Sequence, residues 1–210
     1  AGKDVGRSDG LKTQNKSIAG VTNNTIVARI VGPGIAYSNI SYIGTNGTIG
    51  FFSNGSSIVG ISQGVILSTG EIHNAIGPNT ISSITMANYL PGDPDLTALI
   101  PGYYTYDATV LEFDFKPTTN VIQIQYVFAS DEYNEYVGSS YNDVFGFFVN
   151  GKNIAKLPDS TNVSINNVNL GKHPTYYRNN YAWPGPINTE MDGLTTAITS
   201  SVSVKPNQLN

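Results

Sequence analysis

The stretch "DATVLEFDFKPTTNVIQIQYVFAS" (residues 107–130) decides the fold. In its first half Leu111, Phe113 and Phe115 alternate with Val110, Glu112 and Asp114. In its second half Ile122, Ile124 and Tyr126 alternate with Val121, Gln123 and Gln125. A period of two with one apolar and one polar face is the pattern of half-buried β-strands. We expect both to lie in one sheet. Working outward, "TIVARIVG", "IAYSNISYIG", "TIGFFS", "GVILSTG", "DVFGFFVNG", "NVSINNVNL" and "LTTAITSSVSVKP" are further short apolar runs, with Gly, Asn and Pro between them. Asn150-Gly151 is a hairpin turn signal. Strands at such close spacing predict an all-β chain, an antiparallel β-sandwich of jelly-roll type. One helical turn is expected in "DPDLTALI", with Asp93 as cap and Pro94 in the first helical position.

The composition agrees. In 210 residues there are 22 Gly, 11 Pro and 13 Tyr, a mixture poor in strong helix formers. Only 12% of residues are charged and the net charge is -4, which argues against a nucleic-acid binder. No apolar run is long enough to span a membrane. There is no cysteine, which excludes disulfides, zinc-thiolate sites and cysteine nucleophiles. Residues 1–24 are polar and Gly-rich and are expected to be a flexible arm before a single domain over 25–210. Residues 71–106 form a long decorated connection, and residues 171–193 an aromatic, Pro-rich excursion.

Several motifs in order carry a resemblance. "GVILSTG" (64–70), "GDPDL" (92–96), "DATVLEFDF" (107–115), "YVFASDEYNEYVGSSYNDVFGFFVNG" (126–151), "NIAKLP" (153–158), "VSINNVN" (163–169) and "MDGLTTAIT" (191–199) together resemble the choice-of-anchor L family of exported prokaryotic β-domains. The resemblance covers about residues 25–210. It implies a place outside the cell or at its surface, and no defining catalytic activity. Family members continue with a further "DSAVFL"-like strand, whereas this sequence stops at "KPNQLN". The expectation is of an open sheet edge that another segment or molecule could fill.

The acidic loop within residues 126–151 is the first candidate site. Asp131, Glu132, Glu135, Asn142 and Asp143 are hard oxygen donors of the kind Ca²⁺ takes, and Asp107 and Asp114 on the preceding strand could add to them. The spacing is not that of an EF-hand. A glycosidase needs only two carboxylates across a cleft, a requirement too loose to single out a pair here. The two histidines, His73 and His173, lack a catalytic context, and no nucleophile-elbow motif is present. The sequence therefore reads as non-enzymatic.

Tyr103, Tyr104 and Tyr106 in one loop, and Tyr176, Tyr177, Tyr181 and Trp183 in another, either seal loops onto the sandwich or form an aromatic platform for a glycan or peptide. Tyr103, Tyr104, Tyr176, Tyr177 and Trp183 are the ligand-binding candidates. N-x-[S/T] sequons begin at Asn15, Asn23, Asn39, Asn46, Asn54 and Asn162. All but Asn15 are carried forward as glycosylation candidates, relevant where the source glycosylates exported proteins. The functional expectation is an extracellular adhesion or ligand-binding module, calcium-stabilised. The alternative is a surface-filament subunit that exchanges strands with identical copies, with the N-terminal arm leading into "TIVARIVG" as donor.

Overall fold

The computed structural model describes residues 10–210, so the first nine residues of the expected arm lie outside the described residues. The chain folds into several small antiparallel sheets with long loops between them, as the alternation predicts. Strands β1 (Lys12–Asn15), β3 (Ile49–Ser53) and β4 (Gln63–Leu67) make one three-stranded sheet in the order β1-β3-β4. Strand β2 (Ala36–Ile43) pairs with β5 (Val110–Lys116), with a register shift between Ser38 and Ser41. Strand β6 (Val121–Tyr126) pairs with β12 (Ile198–Ser203). A fourth group holds β7 (Ala129–Ser130), β10 (Tyr177–Asn179) and β11 (Gly193–Thr195), in the order β10-β11-β7. Strands β8 (Phe148–Val149) and β9 (Lys152–Asn153) form a hairpin across Asn150-Gly151. Both turn residues have positive φ, 52° and 73°, which is the geometry that favours an Asn-Gly pair in a two-residue hairpin loop.

Four expectations need correction. "TIVARIVG" is not a strand: Asn23–Val31 is helix α1. Its start is fixed by a capping box, in which Thr22 Oγ1 accepts from the Thr25 N–H at 3.2 Å and Thr25 Oγ1 accepts from the Thr22 N–H at 2.8 Å. Ile26, Val27 and Ile30 then fall on the inward side, a helical spacing that a short β-branched run conceals. Next, the expected arm contains β1, paired with β3 from Lys12↔Ser53 to Asn15↔Gly50. Third, β5 and β6 are both strands with the expected faces, but they pair with β2 and β12 rather than with each other. Fourth, "NVSINNVNL" gives only isolated bridges at Asn162 and Ser164, followed by turns. Its Val163, Ile165 and Val168 are buried all the same.

The helical turn expected near Asp93 is helix α2 (Pro94–Leu99), capped by the Asp93 carboxylate on the Leu96 N–H at 2.9 Å. The main core gathers Tyr126, Phe128, Leu157, Val163, Ile165 and Tyr133. Tyr133 is fully buried, stacks 4.8 Å from Tyr177, and donates its hydroxyl to the Val168 carbonyl at 2.7 Å. This core holds the acidic segment that follows β7 in place, because Tyr133 sits between Glu132 and Glu135 in the chain.

Candidate functional site

The acidic segment meets two distant loops. Asp192, just before β11, is fully buried and accepts a short hydrogen bond from the amide of Asn79, which is itself fully buried. Glu190 accepts from the backbone N–H groups of Thr80 and Ile81 at 2.9 and 3.0 Å, and from the Thr80 hydroxyl. Asp131 accepts a short bond from the Ile84 N–H. Residues 79–84, read from sequence only as part of a decorated connection, are thus fastened by their donors to three carboxylates.

The carboxylates act on one another. Burial pushes the Asp131 carboxyl up to about 6, against the Ile84 bond, with Glu190 and Glu135 adding to the rise. Burial, then Asp143, Asp131 and Glu135, push Glu132 up to about 7. Burial also pushes Asp192 up to about 7; the Asn79 bond opposes this, and Asp131, Glu135 and Glu190 add to it. Burial raises Asp143 too, against a 2.7 Å bond from the Ser130 hydroxyl. Desolvation and like-charge repulsion disfavour the ionised form in the same direction. No cation offsets them: among the described residues the one ion pair is His173–Asp159, at 2.8 Å.

Of the expected metal ligands, Asp131, Glu132 and Asp143 are brought into this neighbourhood. Asn142 is not a free donor there, since its Oδ1 accepts from the Asn166 N–H at 3.0 Å. Asp107 serves elsewhere. Its two carboxylate oxygens accept from the N–H groups of Asn88 (3.2 Å) and Leu90 (2.6 Å). Asp114 is tied to the Asn39 amide at 2.6 Å. Asn79, Glu190 and Asp192 were not legible as partners, because 113 residues separate Asn79 from Asp192. The only local signal is the adjacency "TEMDG" (189–193). Among the described residues, no three His, Cys, Asp or Glu side chains form by themselves a group that could hold a metal ion.

The aromatic candidates divide. Tyr177 is buried beside Tyr133 and Tyr176 packs on the core, so both seal the fold instead of facing a ligand. Tyr103 borders an open pocket with Val137, Asn166 and Lys172, and its hydroxyl accepts from the Asn166 amide at 3.2 Å. Tyr104 and Tyr106 are 79% and 75% exposed, and Tyr89, missed in the sequence, is 93% exposed. All three lie on adjoining segments held by Asp107 and by the Asp107 N–H to Leu90 carbonyl bond at 3.0 Å. Trp183 is exposed and makes an edge contact with Tyr181 at 5.1 Å.

Among the sequons, Asn39, Asn46 and Asn54 are exposed, although the Asn39 amide is bound to Asp114 and that of Asn54 to the Gly10 carbonyl. Asn23 is half-buried with its Oδ1 enclosed. The Asn162 amide donates to the Leu99 carbonyl at 3.0 Å, so its nitrogen is already committed to holding α2. His173 rests on the Asn167 carbonyl and Asp159, and His73 on the Thr13 hydroxyl.

Small antiparallel sheets carrying long loops, with two exposed aromatic loops and a buried carboxylate cluster, define an all-β module. The chain belongs to the choice-of-anchor L domain family, whose match spans residues 13–210, and is on that ground a surface-associated protein. No curated protein and no solved structure matches it. No helix among the described residues is long and apolar enough to cross a membrane.

Proposed function

We propose that this domain is a non-enzymatic adhesion or ligand-binding module of the cell surface, stabilised by calcium, whose exposed tyrosines meet a glycan or a peptide. The observation that carries the reading is the set Tyr89, Tyr104 and Tyr106, three large aromatic side chains left at 93%, 79% and 75% exposure on braced segments. Rigid aromatic surface stacks on sugar rings and anchors peptide interfaces at low entropic cost. Glycan and peptide arrays probed with the purified chain test it. The double variant Tyr104→Ala, Tyr106→Ala should lose the binding while its melting temperature stays put. Binding that survives the double variant contradicts the assignment.

A second reading, a filament subunit joined by strand donation, is favoured by one feature. Among the described residues strand β12 pairs only with β6, and Ser201, Val202 and Ser203 border an open groove with Val149, Asn150 and Lys152. Of the donor named from sequence, "TIVARIVG" is helical, Lys12–Asn15 already pair with β3 in this chain, and residues 1–9 lie outside the described residues. Regular fibres in negative-stain images over a concentration series support this reading; a stable monomer removes it.

A further inference from the structure

We infer that Asn79, Asp131 and Asp192 form a calcium site that joins the 79–84 loop to the segments before β11 and after β7. The inference rests on the calcium part of the reading above and assigns it a different donor set from the one the sequence suggested.

Three buried side-chain oxygens in this neighbourhood have no hydrogen-bond partner: Asn79 Oδ1, Asp131 Oδ1 and Asp192 Oδ2. Asn79 and Asp192 are each fully buried. All three atoms are lone-pair acceptors, and a buried acceptor left unmade is costly. The Asn79 amide orientation is fixed, because its Nδ2 donates both to Asp192 Oδ1 and to the Asn180 carbonyl at 3.1 Å. Its Oδ1 is therefore the acceptor left without a partner. Asp131 and Asp192 likewise have one oxygen engaged and one without a partner.

Electrostatics select the occupant. The Asp131 charge acts on Asp192, the charges of Glu135 and Glu190 act on both, and no cationic side chain contributes to the balance of either. A hydrogen-bond donor without charge would satisfy lone pairs and leave the repulsion. A hard divalent cation satisfies both. Two carboxylate oxygens and an amide carbonyl are Ca²⁺ ligands, with waters and further oxygens completing six to eight. Mg²⁺ demands a stricter octahedron, and Zn²⁺ prefers nitrogen and sulfur. Both histidines are engaged elsewhere and there is no cysteine.

The test is calorimetric titration of the EDTA-stripped chain with CaCl₂ at about pH 8, with melting curves in parallel and MgCl₂ as comparison. Expected is uptake of one Ca²⁺ per chain and a melting temperature raised by about 5–10 °C at roughly a hundred times Kd. Asp131→Asn and Asp192→Asn should each weaken Ca²⁺ by about tenfold or more. Asp159→Asn, at the exposed His173 pair, should leave it unchanged. Should Asp192→Asn fail to fold, Asp131→Asn carries the comparison. Calcium taken up equally by the wild-type chain and both folded variants overturns this site but keeps the calcium reading. No uptake up to about 5 mM, above the range of weak extracellular sites, overturns both.

Discussion

Asn79 and Asp192 lie 113 residues apart, yet their fully buried side chains share a hydrogen bond and each keeps one oxygen without a partner. The pair closes the long connection over the acidic segment. In EDTA at about pH 8, Asp192→Asn should therefore leave the melting temperature unchanged or raise it by a few degrees, because it removes a buried charge while keeping an acceptor for the Asn79 amide. The same variant should lose its response to CaCl₂. A fall of more than about 2 kcal/mol in EDTA, measured by urea denaturation, would show that the carboxylate is stabilising in itself.

The calcium-free protein should become less stable as pH rises through the acidic range. Asp131 lies near 6, and Glu132 and Asp192 near 7, in the folded chain, above their ordinary values of 3.8, 4.5 and 3.8. The folded state then binds protons more tightly than the unfolded one, so stability is highest below about pH 4 to 5 and falls until about pH 7. Asp159, held down to about 2 chiefly by the Thr161 backbone N–H, acts in the opposite sense, and only at the acid end. Melting curves in EDTA from about pH 5 to 8 check this, and a rise in stability across that interval would contradict it.

Tyr133→Phe removes the hydroxyl that serves the Val168 carbonyl at 2.7 Å in a fully buried position. The expected loss is about 1–3 kcal/mol, read from denaturant unfolding, because the carbonyl is left unpaired. Tyr133→Ala should cost about 3–5 kcal/mol through the cavity it opens against Phe128 and Tyr177. Equal effects of the two would show that packing contributes little.

Gly92→Ala tests the tyrosine segments. A Cβ at residue 92 would fall 1.9 Å from the Thr105 carbonyl oxygen, a backbone atom that cannot move aside alone. Segments 88–93 and 105–108 must then separate. The variant should lose about 1–3 kcal/mol of stability and lose ligand binding with it. Calcium affinity, set on other loops, should stay within about twofold.

Much of the β architecture was legible because alternation in 107–130 is local, and so was the Asp93 cap, where a carboxylate stands before proline. Helix α1 was not, since nine residues of mixed β-branched pattern fit either period and only the Thr22–Thr25 box decides. The site was half legible. Asp131, Glu132 and Asp143, neighbours in one acidic loop of the sequence, lie in one neighbourhood, but Asn79, Glu190 and Asp192 join them only through tertiary closure. Asp107 looks like a ligand from composition alone. Its positive φ of 51° and its two backbone donors make it a loop brace.

The most direct measurement is anomalous diffraction from crystals of the chain grown in about 5 mM CaCl₂. One ion is expected, with Asn79 Oδ1, Asp131 Oδ1 and Asp192 Oδ2 at about 2.3–2.6 Å from it. A water, or no density, between those three oxygens would contradict it.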